Sequence, residues 1–245
     1  MTENKRIDNE VKHGKKILHA AEDIWGWGSP AGRVRANRRA AIFVELAKIK
    51  KTDKVLEIGC GTGLFTRLVY ARTGAEIIAT DIVDDLLEKA RIECKDARFV
   101  REDAMALTCT DKTFDVVFGS SILHHLNIGL AFKEILRVLK PGGRMVFAEP
   151  NMLNPQILVQ KNVGVIKEAM GDSPDEAAFI RWQVEKVIKN AGFINTKTFP
   201  YDFLHPFVPK PLISAVSFLG SIIESMPVFR EIAGSVVIYG EKIGD

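Results

Sequence analysis

The nonapeptide Val55–Gly63, V-L-E-I-G-C-G-T-G, sets an apolar run with one acid directly against glycines at 59, 61 and 63. Glycines at alternate positions let a backbone turn tightly and approach a bound molecule with no Cβ in the way. The apolar stretch that follows, Leu64–Tyr70, reads as a helix whose first amides face the same space. The pattern is a nucleotide-type cradle at the end of a first strand, and the residue types restrict the nucleotide. A phosphate-gripping loop needs Lys-Ser/Thr after its last glycine, and neither is present at that spacing. A dinucleotide fingerprint would place a glycine at 64, where Leu stands. No basic residue in the turn meets a phosphate. Glu57 puts a carboxylate just before the glycines, which suits a cationic ligand. The alternative is a glycine turn that holds no ligand. Cys60, inside the loop, reads as a small residue rather than a nucleophile.

S-adenosylmethionine carries an ammonium, a sulfonium and no phosphate, and so fits these residues. Further acids follow at strand ends. Glu76–Asp81, E-I-I-A-T-D, reads as a second parallel strand ending in Asp81, some twenty residues after the glycines, where a carboxylate can accept both ribose hydroxyls. Arg98–Ala104 gives a short third strand followed by Asp103-Ala104. Phe114–Ser121 gives a fourth strand ending in small residues, and Leu139–Asn151 a turn at Pro141-Gly142-Gly143 and then a fifth. As an ordered set over about residues 50 to 200, these segments resemble the class I S-adenosylmethionine-dependent methyltransferases. The resemblance implies cofactor contacts at Glu57, Gly59, Cys60, Gly61 and Gly63. It also implies contacts at Asp81 with neighbouring Ile82, at Asp103 and Ala104 around the adenine, and at Ser120 through main chain. It implies S-adenosylhomocysteine as the product, and no metal.

Methyl transfer from a sulfonium is an in-line displacement of an already activated group, so the protein mainly supplies proximity and alignment. A base is needed only where the acceptor must lose a proton. Enzymes that methylate an exocyclic base nitrogen carry Asp/Asn-Pro-Pro-Tyr/Phe after strand four. Here the run is Gly119-Ser120-Ser121-Ile122, which disfavours that substrate class. Cys94 and Cys109 are not placed for cytosine-C5 chemistry. The pair His124-His125 follows at once. Either ring is a general-base candidate by its unperturbed pKa, with His125 preferred, or a structural orienter of backbone. Glu149 and Asn151, after strand five, face the same mouth in the family architecture.

The elements that position these residues alternate strand and helix to residue 150, the pattern of an α/β doubly wound, Rossmann-like, seven-stranded and mostly parallel sheet. A capping box at Ser173-Pro174-Asp175-Glu176 opens a helix to Asn190. Strands six and seven follow at Phe193–Phe199 and Ser235–Glu241. Residues 1–50 are expected to form an N-terminal helical lid, with helices over Val11–Ile24 and Arg33–Ile49. Residues 51–245 form the methyltransferase domain. Trp25, Trp27 and Arg33 are the lid's candidates for closing over the methionine end. Arg33, Arg35, Arg38 and Arg39 cluster at the second helix's start, a pattern typical of a solvated face, with a role toward substrate or a carboxylate as the alternative, since cations there oppose the helix dipole. Between strands six and seven, 200–234 is an apolar helical insertion holding five of the ten prolines. It is too long for an ordinary loop and too apolar for disorder. It is expected to pack as an extra helix, to cover an apolar substrate, or to offer 203–230 to a membrane surface or a homodimer partner.

A net charge of +3 is too small to imply nucleic acid. Three cysteines without CxxC spacing point to a reducing cytoplasm. The opening residues lack a signal-peptide core, and the longest apolar stretch, Leu212–Ile223, is too short to span a bilayer. The expectation is a cytoplasmic methyltransferase acting on a small, apolar or lipid-like acceptor. The alternatives are a non-catalytic S-adenosylmethionine-binding module and, more remotely, an RNA or protein methyltransferase.

Overall fold

The structure, a computed structural model, describes residues 3–162 and 178–244. Its centre is a seven-stranded sheet: β1 Lys54–Ile58, β2 Glu76–Asp81, β3 Arg98–Arg101, β4 Phe114–Ser120, β5 Leu139–Pro150, β6 Ile194–Tyr201 and β7 Ser235–Glu241. The order is β3-β2-β1-β4-β5-β7-β6, with β7 antiparallel to both its neighbours and the other pairs parallel. The sequence expectation of a mostly parallel, doubly wound sheet therefore holds. The strand order reverses between β1 and β4, and in such sheets ligands bind beyond the strand carboxyl ends at that point.

Alternation along the strands explains the layering. Val55, Val116, Phe118 and Val146 face one apolar cluster with Phe43 and Phe65. Leu56, Ile58, Val117, Met145 and Phe147 face the other with Phe132 and Ile135. Side chains two apart share a face of a strand, so one apolar run feeds both layers. The flanking helices from the central region are α4 Leu64–Thr73, α5 Asp84–Glu93 and α6 Ile128–Val138. The last is capped by Asn127, whose side chain accepts from the amides of Gly129 and Leu130.

At the N-terminus, α1 spans Glu3–Ile17, beginning earlier than the sequence pattern suggests and stopping at a 3-10 turn before the short α2, Ala21–Ile24. Ile17 and Ala21 pack on Val83 and Leu86 of the β2–α5 region, and that burial holds α1 against the domain. The next helix, α3 Pro30–Leu46, has proline at its first position and Ser29 as N-cap, its Oγ accepting from Gly32 N at 2.9 Å. After β5 come α7 Pro155–Asn162 and α8 Arg181–Asn190. The capping box expected at 173–176 lies outside the described residues. Between β6 and β7 the insertion forms a 3-10 turn, then α9 Ile213–Ser225, then a second 3-10 turn. β6 runs two residues past the expected Phe199, because Pro200 and Tyr201 still pair with Val236 and Ser235.

Candidate active site

The β1–α4 turn owes its shape to its glycines. Gly59 has φ +68 and Gly61 φ +52, the left-handed region that L side chains rarely adopt. A Cβ at Gly59 would sit 2.4 Å from Ile122 Cγ1, and one at Gly61 would sit 3.0 Å from Trp25 Cη2. The turn is pinned to β2 by Asp81. One carboxylate oxygen accepts from Gly61 N at 2.8 Å and the other from Val83 N at 3.0 Å. The acid that the sequence assigns to a ribose thus also fixes the glycine loop.

A cavity of about 550 Å³ opens over this turn at the β1/β4 switch point. Gly59, Cys60, Gly61, Asp81, Ile82, Asp103, Ala104, Ser120 and His125 all line it. Asp103 also orders its own turn, accepting from Met105 N at 3.0 Å. Burial raises the Cys60 thiol well above the ordinary cysteine range, so it stays protonated and serves as a small wall residue.

Two of the expected residues lie outside the cavity lining. Gly63 does not line the cavity; it is the N-cap of α4 at φ +80, packed near Ala90. Glu57 also lies outside the lining. Its side chain is 1% exposed and takes the Thr66 hydroxyl as partner at 2.5 Å. Burial pushes the Glu57 carboxyl up to about 8, with the Thr66 hydrogen bond opposing and Asp81 adding to the rise. The reason is the strand period. Leu56 and Ile58 share one face of β1, and Glu57 takes the opposite face beneath α4.

The N-terminal segment and the insertion also line the cavity. Trp25 and Trp27 line it as the sequence suggests, but Arg33 does not; its guanidinium donates to Gly28 O and it stands in solvent. Arg35 and Arg39 take its place. The cluster is therefore divided: Arg33 and Arg38 are exposed, as on a solvated face, and Arg35 and Arg39 turn inward. Arg39 is 2% exposed and donates to Tyr201 Oη, Ser120 Oγ and Ser235 Oγ at 2.8 Å each and to Ser121 Oγ at 3.1 Å. Its guanidinium lies 4.8 Å from the Trp27 ring centre. Arg35 donates through Nε to Asp202 Oδ2 at 2.7 Å and lies 5.2 Å from the same ring's centre. Ser121 and Asp202, both non-glycine residues with positive φ (55 and 78), stand at this wall. Strained backbone of that kind collects at functional sites. Period alone could not have found Arg39, because its burial depends on hydroxyls from β4, β6 and β7.

At the β4 end a second group is preorganised. Glu149, fully buried, accepts from the amides of Ile122 and Leu123 at 2.9 Å through one oxygen. Its other oxygen lies 2.7 Å from His124 Nδ1. His124 lines the cavity. The ring the sequence prefers, His125, lies 3.3 Å from Glu10 of α1 through Nδ1 and stacks on His124 at 4.2 Å between centres. His124 is the ring held by the fully buried Glu149. Asn151 faces away from the mouth, donating to Glu231 O and Ala233 O. Among the described residues, no cluster of three or more His, Cys, Asp or Glu is arranged to hold a metal.

Residues 56–147 match the family model described as a methyltransferase domain. An uncharacterized methyltransferase-like protein of Schizosaccharomyces pombe is 29% identical over 145 residues, covering 59% of this chain and 56% of that one. A ubiquinone/menaquinone biosynthesis C-methyltransferase of Idiomarina loihiensis is 35% identical over 115 residues, covering 43% and 46%. The chain thus spans about half the length of the curated relatives it matches. Phosphoethanolamine N-methyltransferase 2 of Haemonchus contortus, solved with S-adenosyl-L-methionine, superposes with a TM-score of 0.65 at 17% identity, covering 94% of this chain and 60% of that one. That likeness is one of fold.

The sheet order, the glycine turn and the acid at the end of β2 define a class I S-adenosylmethionine-dependent methyltransferase fold. Residues 56–147 belong to the methyltransferase domain family. Its cofactor, S-adenosylmethionine, suits the lining: the carboxylates of Asp81 and Asp103 stand beside the glycine turn, and no basic side chain of the loop demands a phosphate.

Proposed function

We propose that this protein transfers a methyl group from S-adenosylmethionine to a small acceptor with an apolar body. The observation that carries the reading is one shared chamber. The glycine turn, Asp81 and Asp103-Ala104 line it at one end, and Trp25, Ile157, Phe203 and Phe207 line it elsewhere, with His124 between strand four and the mouth. Bound there, S-adenosylmethionine supplies a methyl group already activated by the sulfonium. Asp81 would hold the ribose hydroxyls, and Asp103-Ala104 and Ile82 would stand at the adenine. Ser120 and the loop amides lie along the methionine end.

His124 is the residue placed to take a proton from the acceptor. Glu149 lies 2.7 Å from Nδ1, which favours the proton on that nitrogen and orients the ring in the cavity wall. The imidazolium that forms is stabilised by the same carboxylate. His125 is the positioning neighbour rather than the base. Residues 1–50 act as the lid, since Trp25 and Trp27 form part of the chamber wall and would exclude water from the displacement. Quinone methylation by a relative agrees with an apolar acceptor but does not name this one. Among the described residues no helix is long and apolar enough to cross a membrane, and the three cysteines are free, in keeping with a reducing compartment.

The test is titration of the purified chain with S-adenosylmethionine and S-adenosylhomocysteine, followed by a labelled-methyl screen of apolar acceptors. Micromolar binding of both with transfer to an acceptor supports the reading. Binding without transfer to any acceptor reduces the protein to a cofactor-binding module, and no binding removes the reading altogether.

A further inference from the structure

The wall between Trp27 and the start of β7 carries more positive charge than its own acids balance. Three arginines of α3 meet two carboxylates there. Arg38 makes a two-point pair with Glu224. Arg35 gives only its Nε to Asp202. Arg39, the most buried, has hydroxyl partners alone. Burial raises the Tyr201 phenol above its ordinary range, so that partner stays neutral. His205 supplies no countercharge, being a base whose pKa is itself lowered by burial and by Arg35. A buried guanidinium without a carboxylate is costly unless an anion arrives.

The geometry shows where the anion would sit. Arg35 lines the cavity, and its side chain is largely buried between the Trp27 ring and Asp202. Among the described residues its two Nη groups make no hydrogen bond, so the planar edge that suits a two-oxygen anion is unused. Asp202, the partner of Arg35, and His205, Pro206 and Ser235 of the same cavity lining come from the segment after β6, the insertion and β7. They lie outside the matched domain at 56–147, which holds every residue assigned to the cofactor.

We infer that the methyl acceptor carries an oxyanion group, a carboxylate or an oxyanion of similar shape, bound by the Nη edge of Arg35 with the Arg39 charge behind it. The acceptor is then an amphiphilic anion. Its charged end lies against α3 and its apolar body against Phe203 and Phe207. This rests on the methyltransferase reading of the same cavity. The other source of a carboxylate is the cofactor's own amino-acid end, and the test separates the two.

The probes are benzoate, 4-phenylbutyrate and decanoate, each against its neutral amide. They are titrated calorimetrically into the full chain, both cofactor-free and saturated with S-adenosylhomocysteine. The expected result is at least one acid binding fivefold or more tighter than its amide, a preference that Arg35→Gln abolishes and Arg35→Lys partly restores. S-adenosylhomocysteine affinity should stay within threefold in Arg35→Gln. Equal affinity within all three pairs overturns the inference. So does a loss of more than tenfold in S-adenosylhomocysteine affinity in Arg35→Gln with 5′-methylthioadenosine unaffected, which assigns the anion to the cofactor. Failure of wild type to bind S-adenosylhomocysteine removes the methyltransferase reading instead, and the acid–amide comparison on cofactor-free protein then still decides whether Arg35 receives an anion. Circular dichroism of each variant guards against unfolding.

Discussion

Replacing Glu57 by glutamine removes a charge that the fold does not hold. The carboxyl is buried under α4 and its pKa stands at about 8 against an ordinary 4.5. Between those values the folded chain keeps a proton that the unfolded chain releases. Stability therefore falls as pH rises through this window, by about 1.4 kcal/mol per pH unit, and the fall levels off above about pH 8. The whole span is worth roughly 5 kcal/mol as a ceiling. Glutamine has the same shape, never ionises, and its carbonyl can accept from Thr66. Its stability carries no such slope. Denaturant unfolding of wild type and Glu57→Gln at pH 6, 7, 8 and 9, at constant ionic strength, is the assay. The variant's advantage should grow by about 2.7 kcal/mol from pH 6 to pH 9, nearly all of it below pH 8. Curves that run parallel at every pH would show Glu57 ionised throughout and refute the burial argument. A second readout bears on the cofactor. Because this side chain does not line the cavity, S-adenosylhomocysteine affinity at pH 7 should change less than threefold; a tenfold loss would restore Glu57 as a ligand contact.

Asp81→Ala should weaken S-adenosylhomocysteine by about 1.5–3 kcal/mol, roughly 10- to 150-fold. It should also lower the melting temperature, since the Gly61 and Val83 amides lose their acceptor, whereas Asp81→Asn should keep part of that stability. Unchanged calorimetric affinity would remove Asp81 from the site. Glu149→Gln should keep cofactor affinity within threefold and lower kcat by roughly 100-fold or more on an acceptor that loses a proton. An unchanged kcat there would return His124 to a purely structural role. Phe207, Phe218 and Phe229 are 82%, 66% and 58% exposed, while nearby Glu224 and Glu231 are tied to Arg38 and Arg181. The wild-type chain should co-sediment with phosphatidylglycerol vesicles, and replacing the three phenylalanines by serine should weaken that at least tenfold. A concentration-dependent dimer by ultracentrifugation, with no vesicle binding, would give the face to a second copy.

The local rules reach as far as the backbone does. Glycine spacing, strand-end acids and apolar runs are properties of short segments. They give the turn at 59–63, the succession of strands along the chain and the strand-end positions of Asp81, Asp103 and Ser120. The parallel architecture followed too, because an apolar run buried on both faces belongs between two helix layers. What the sequence alone could not settle is which side of an element a charged residue faces and what it meets there. Glu57 was legible as an acid beside glycines, but its position on the α4 face of β1 makes it a buried neutral carboxyl. His124 and His125 are adjacent and chemically equal; Glu149, 25 residues away in sequence, distinguishes them. Arg35 and Arg39 read locally as part of the same solvated face as Arg33 and Arg38, because nothing near them in the sequence offers them partners. Arg39's partners lie 81 to 196 residues further on. Sequence fixes which groups are available and how each segment turns, through short-range sterics and periodicity. Desolvation and pairing depend on segments far apart in the chain, so only the packed sheet decides which of those groups are charged and which face the cavity.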